Sequence, residues 1–160
     1  MSNLAGKVCI ITGAGRGIGQ GLAVELATRG ANLVLNDLEL SSLEETISLI
    51  GSTDSTIIPV VGSVTHETTA DQIMKQVWDN FNELNLVFTC AGFTWDTMFH
   101  RMTHEQWNSI IDVHLNGTFL ILHKAYPFMR ELGKNELDEG KVPEPRKLIT
   151  VSSMSSFGNL

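Results

Sequence analysis

The sequence predicts an α/β fold built on a doubly wound parallel sheet. Three observations carry that prediction. Short β-branched runs alternate with stretches of helical periodicity, a glycine-rich turn joins the first run to its helix, and an acidic residue closes the second run. Parallel strands need crossover connections, and helices in those crossovers cover both faces of the sheet. A ligand then binds at the carboxyl ends of the strands, near the point where the strand order reverses.

The elements follow in order. KVCIIT at 7–12 is a first strand, after which Ile18, Leu22, Ala23 and Leu26 recur at helical spacing up to Gly30. ANLVLND at 31–37 is a second strand, and Ser42 with Glu45 has capping-box form ahead of a short helix in SSLEETISLI. STIIPVVGSV at 55–64 is a third strand. THETTADQIMKQVWDNF places Ala70, Ile73, Met74, Val77 and Phe81 on one helical face, and NLVFTCAG at 85–92 returns to strand. From Thr103, with Gln106 as its capping-box partner, a long helix carries Trp107, Ile110, Ile111, His114, Leu115, Leu122 and Phe128 in an apolar pattern, with a bend expected at Pro127. A charged, linker-like insert, GKNELDEGKVPEPRK, leads into a fifth strand in RKLITVSS.

A chain of 160 residues, 42% of them hydrophobic, fills one core, and a single domain over 1–160 is expected. The formal charge of -7 argues against nucleic acid or an anionic membrane surface as partner, since either calls for a basic face; a small molecule is the expected ligand. MSNLAGK lacks the features of a signal peptide and no stretch reaches membrane-spanning length, which points to a cytoplasmic protein. Cys9 and Cys90 each lie in an apolar run and read as buried reduced thiols; with no ligand spacing among the Cys and His residues, no metal is expected.

The turn TGAGRGIG places Gly13, Gly17 and Gly19 between the first strand and its helix. Glycines there let the backbone turn sharply and approach a pyrophosphate, while the helix start offers N–H groups and a positive dipole end. With Asp37 closing the second strand, the combination reads as a dinucleotide site. Asp37 can accept the hydroxyls of an adenosine ribose and would repel a 2'-phosphate, favouring NAD; Arg16 beside the turn pulls towards NADP.

LAGKVCIITGAGRGIG, ND at 36–37, TCAG at 89–92, EQWNSIIDVHLNGTF at 105–119 and LITVSS together resemble the short-chain dehydrogenase/reductase family, and the likeness runs along the whole chain. AGFTWD and VHLNGTF look closest to enzymes related to 3-oxoacyl-thioester reductases. The resemblance implies a Rossmann fold, a homo-oligomeric full-length enzyme and hydride transfer between a nicotinamide and a carbonyl or secondary alcohol. It implies cofactor contacts at Gly13, Arg16, Gly17, Ile18, Gly19, Asp37, Ser63, Val64, Ala91 and Gly92, with Ser63 where the family has an adenine-contacting aspartate and Thr89-Cys90 where it has paired asparagines.

On the catalytic side the resemblance aligns Ser153 with the serine that orients the substrate oxygen, with Ser152 as its rival. His114 falls on the asparagine that supports a water relay; imidazole can both donate and accept in such a relay, while a histidine on an apolar helical face is otherwise a satisfied core residue. The family's Tyr-x3-Lys belongs downstream of the serine. Tyr126, the only tyrosine, lies upstream with Arg130 at the fourth position after it, and reads as core or groove lining. The expectation is therefore an amino-terminal portion of a longer enzyme, cut off after the fifth strand; the alternatives are a catalytically inactive dinucleotide-binding module and an inert fragment. FTWDTMFHRM at 93–102 is expected to line the substrate pocket, where Trp95, Met98 and Phe99 suit an apolar substrate portion or else pack the loop onto the core.

Overall fold

The structure, a computed structural model, describes residues 4–153. β1 (Val8–Thr12), β2 (Asn32–Asp37), β3 (Ile57–Val61), β4 (Leu86–Thr89) and β5 (Lys147–Thr150) alternate with α1 (Gly17–Thr28), α2 (Leu40–Ile50), α3 (Glu67–Asn80), α4 (His104–Ile111) and α5 (Thr118–Asp138). The strands form one parallel sheet in the order β3-β2-β1-β4-β5. The predicted fold class is the observed one.

The burial of β1 follows from its central place: all five residues are buried, and alternate side chains enter opposite layers. Ile10 joins Val34, Val87, Ile73, Val77 and Ile121 under α3 and α5. Ile11 joins Leu33, Leu35, Ala23, Leu26 and Leu43 under α1 and α2. Each such isoleucine contributes about 1.5–3 kcal/mol by leaving water. β3 lies at one edge, where Pro59, which has no N–H to donate, is tolerated. β5 forms the other edge and exposes Leu148.

The chain passes from β3 at one edge to β4 on the far side of β1, so the crossovers diverge at the carboxyl ends of β1 and β4. That divergence opens the crevice in which the site lies.

Several local expectations need correction. Ser42 does not cap α2: the helix begins at Leu40, Glu39 precedes it without a side-chain bond, and Ser42 sits inside the first turn. The early start packs Leu43 and Thr46 into the core, and that packing outweighs the cap. The box at Thr103 does form, with Thr103 Oγ1 accepting from the Gln106 N–H at 3.2 Å and Gln106 Oε1 accepting from the Thr103 N–H at 2.9 Å.

The long helix is interrupted at Asp112–Gly117, which form a π-helical turn, whereas Pro127 stays within α5. Trp107 and Leu115 belong to its exposed face, and Tyr126, expected as core or groove lining, is 57% exposed and so not core. The insert is no linker. Its first residues extend α5 to Asp138, and Arg146, its side chain only 8% exposed, pairs with Glu136 at 2.7 Å and Glu83 at 2.9 Å. Lys7 adds a pair to Glu144 at 2.6 Å. These bonds fasten the return segment to the start of β5.

Candidate functional site

The turn after β1 is set by two neighbours. Gly13 adopts φ +64°, and a Cβ there would stand 2.7 Å from the Ala91 backbone, so only glycine lets β1 and the end of β4 approach so closely. Gly17, at φ +57°, has nothing within 4 Å of where a Cβ would be, leaving the mouth of the turn open. Gly19 lies buried beneath, where a side chain would strike the Gly13 carbonyl.

α1 begins here with no acidic residue in its first turn and no side-chain cap from Arg16, an arrangement that favours an anion at the helix start. The turn is braced from α2: Thr46 Oγ1 donates to the Ala14 carbonyl at 2.9 Å, and Gln20 Nε2 donates to the Gly15 carbonyl at 3.1 Å.

Asp37 closes β2 against this turn. Its Oδ2 accepts from the Gly15 N–H at 2.8 Å and its Oδ1 from the Leu38 N–H at 2.7 Å. Beside it, buried Asn36 donates through Nδ2 to the Val60 and Gly62 carbonyls at 3.0 and 2.9 Å, tying the end of β2 to the loop after β3. In that loop the Ser63 and Thr65 hydroxyls lie 2.8 Å apart, and Val64 is buried. Ala91 donates its N–H to Thr12 Oγ1 at 3.3 Å.

These segments enclose a cleft of about 480 Å³ lined by Gly13, Arg16, Gly17, Ile18, Asp37, Ser63, Val64, Ala91 and Gly92, among others. Of the expected cofactor positions only Gly19 lies outside the lining, as support. Sequence reading missed Asn36, Gly15, Gln20 and Thr46. A threonine on the apolar face of α2 was the one available signal, because a buried hydroxyl needs a partner.

Cys90 also lines the cleft and is half-buried, unlike the fully buried Cys9; both thiols are free. β4 ends at Thr89, so Cys90 lies just past the strand. Burial pushes the Cys9 thiol up to about 12 and raises that of Cys90.

His114 sits in the π-helical turn and is exposed to solvent. Its Nε2 is 2.9 Å from the Phe93 carbonyl oxygen and 3.2 Å from the Phe93 nitrogen. Ser152 and Ser153 follow β5 and are exposed; neither they nor His114 line the cleft. Trp95, Met98 and Phe99 are exposed, Phe99 at 86%, and Trp95 meets Phe93 edge-on, so these three side chains do not anchor their loop to the core. No described helix is long and apolar enough to cross a membrane.

Comparison with known proteins accounts for this arrangement. The family described as short chain dehydrogenase matches residues 7–157. A 3-oxoacyl-[acyl-carrier-protein] reductase of Synechocystis is 34% identical over 75% of this chain and 49% of its own. The hydroxyacyl-CoA dehydrogenase ChsB1 of Mycobacterium tuberculosis is 32% identical over 84% of this chain and 44% of its own. Among solved structures, levodione reductase superposes with a TM-score of 0.85 at 24% identity, covering 98% of this chain and 57% of that one. LigO from Sphingobium gives 0.86 at 24% identity, covering the whole of this chain and 56% of that one. The chain thus spans about half the length of the curated relatives it matches. The glycine turn, the parallel sheet and the matched family pattern over 7–157 agree: this chain belongs to the short-chain dehydrogenase family.

Proposed function

We propose that this chain is the nucleotide-binding portion of an NAD-dependent oxidoreductase that transfers a hydride between nicotinamide and a carbonyl or secondary alcohol. The observation that carries the reading is the placement of the Asp37 carboxylate on the rim of the cleft formed by the glycine turn. The chain's own residues fit such a cofactor. The open face above Gly17 and the uncapped start of α1 suit a pyrophosphate. Each Asp37 oxygen uses one acceptor position on a backbone N–H, and its remaining lone pairs suit ribose hydroxyls. A 2'-phosphate would meet that negative charge, which favours NAD, although Arg16 also lines the cleft. Ser63 and Val64 border the base end, and Ala91, Gly92 and Phe93 the opposite wall.

Nicotinamide, when bound, supplies the hydride acceptor or donor. Ser153 would orient the substrate oxygen, and the exposed Trp95, Met98 and Phe99 offer apolar surface for the rest of the substrate. The names of the relatives, a 3-oxoacyl reductase and a hydroxyacyl-CoA dehydrogenase, support a 3-oxoacyl thioester or similar ketone. The full-length protein would work as a homo-oligomer, a reading supported by the exposed Leu115, Phe119 and Tyr126 along the long helix.

Calorimetric titration of the purified chain with NAD and with NADP tests the reading. Saturable binding with NAD the tighter ligand is expected. Absence of binding to either would remove it, and preference for NADP would reassign the cofactor and the role of Asp37.

A further inference from the structure

The order of the strands lays the cleft out from end to end. The glycine turn follows β1, Asp37 ends β2, and residues 62–64 follow β3. A dinucleotide with its pyrophosphate at the turn and a ribose at Asp37 therefore carries its base to the loop after β3. Of the described residues that line the cleft, only Arg16 and Asp37 are charged, and the loop after β3 contributes Gly62, Ser63 and Val64. The polar side chain of that loop is a hydroxyl, not a carboxylate.

The loop is held firmly beneath that hydroxyl. The Gly62 N–H donates to the Asp37 carbonyl at 2.9 Å, and the His66 N–H donates to the Ser63 carbonyl at 3.1 Å, closing a turn ahead of α3. Gly62, at φ +154°, has no room for a side chain, since a Cβ would stand 2.5 Å from Thr69 Oγ1. A serine hydroxyl has one proton to donate and two lone pairs to accept with. One lone pair of Ser63 Oγ accepts from the Thr65 N–H at 3.3 Å. The Thr65 hydroxyl stands 2.8 Å away, and either oxygen can be the donor. When Ser63 donates to Thr65, one Ser63 lone pair is left for a ligand. When Thr65 donates to Ser63, the Ser63 proton is left instead. The same atom thus presents an acceptor or a donor, and the change needs only two O–H rotations.

We infer that the Ser63–Thr65 hydroxyl pair reads the base in this chain and that it takes a 6-oxo purine as well as adenine. Adenine brings an amino donor at position 6 and hypoxanthine a keto acceptor; the pair meets the first with the Ser63 lone pair and the second with the Ser63 proton. A carboxylate at residue 63 would only accept, and would leave the keto oxygen facing a negative charge. The inference rests on the nucleotide-binding reading and deepens it by naming the purine class the cleft admits.

Calorimetric titration of NAD and of nicotinamide hypoxanthine dinucleotide into the parent chain, Ser63→Asp and Ser63→Ala tests it. Aspartate keeps the turn, because its carboxylate accepts from both the Thr65 N–H and the Thr65 hydroxyl. Hypoxanthine also carries a proton on N1, a difference common to parent and variants, so the change in the ratio of affinities isolates position 6. The parent should bind the two dinucleotides within about threefold of each other, and Ser63→Asp should favour NAD by about tenfold or more. Ser63→Ala should weaken both alike, by about fivefold, which keeps the test decisive if Ser63→Asp does not fold. A parent preference for NAD beyond that threefold margin would overturn the inference, as would a parent-like ratio in Ser63→Asp or parent-like affinities in Ser63→Ala. In each of those cases NAD still binds and the nucleotide-binding reading stands. Absence of binding of either dinucleotide to the parent would remove both.

Discussion

Asp37 and Gly15, 22 residues apart in sequence, are joined by a 2.8 Å hydrogen bond from the Gly15 N–H to the Asp37 carboxylate. The bond fixes the carboxylate on the rim of the glycine turn before any ligand arrives, so ordering it costs nothing on binding. A charge-assisted bond of this kind is worth about 1.5–3 kcal/mol. Asp37→Ala should therefore weaken NAD binding by about tenfold or more and narrow the margin over NADP, read by calorimetric titration of both nucleotides.

Gly13 and Gly17 separate two costs that sequence alone merges. Gly13→Ala combines a positive φ with a 2.7 Å clash against the Ala91 backbone, and should lower folding stability by about 2 kcal/mol or more. Gly17→Ala has a positive φ but open space, and should cost about 1 kcal/mol while intruding on the ligand. Urea unfolding paired with nucleotide titration distinguishes them: the first variant loses mainly stability, the second mainly affinity.

The Arg146 guanidinium, bonded to both oxygens of Glu136, holds that carboxyl down at about 2, well below its ordinary 4.5. Because the folded value is depressed, the contribution to stability is complete above 4.5 and fades as pH falls through about 2. Arg146→Met should destabilise the chain at neutral pH, and the gap from the parent should close across that acid window. Unfolding free energies measured at a series of pH values check the sign: a gap that widens on acidification would contradict it.

The two free thiols should react unequally. Cys9 is fully buried with its thiol pushed up to about 12, whereas half-buried Cys90 lines the cleft. Mass mapping after brief maleimide treatment should find Cys90 labelled and Cys9 not, with labelling faster at higher pH because burial raises the Cys90 thiol as well. NAD should slow the reaction.

The capping box gives a purely local prediction. Thr103→Ala removes the acceptor for the Gln106 N–H and should cost about 1 kcal/mol, seen as a lower thermal midpoint with nucleotide binding retained.

How legible each feature was depends on the range of the interaction behind it. The Thr103 box was readable because both partners lie within one turn. The Ser42 box failed because the core contacts of Leu43 and Thr46 draw the helix start back to Leu40. Similarly, the insert read as a linker from its charges and prolines, since the partner of Arg146 at Glu83 lies 63 residues away and no local pattern announces it.

What the sequence by itself determined is the parallel α/β sheet, the family and most of the residues that line the cleft: alternating periodicities and a glycine turn are local patterns, and burial forces them into one arrangement. What only the tertiary structure decided is where the side chains between those patterns go. Asn36 bonding the loop after β3, Thr46 bracing the turn from a different helix, and His114 turned by a π-helical insertion onto Phe93 all depend on distances between segments remote in sequence. Hydrophobic period fixes which face of an element is buried. Hydrogen-bond partners across the fold are chosen by a few tenths of an ångström, and those appear only when the elements are packed together.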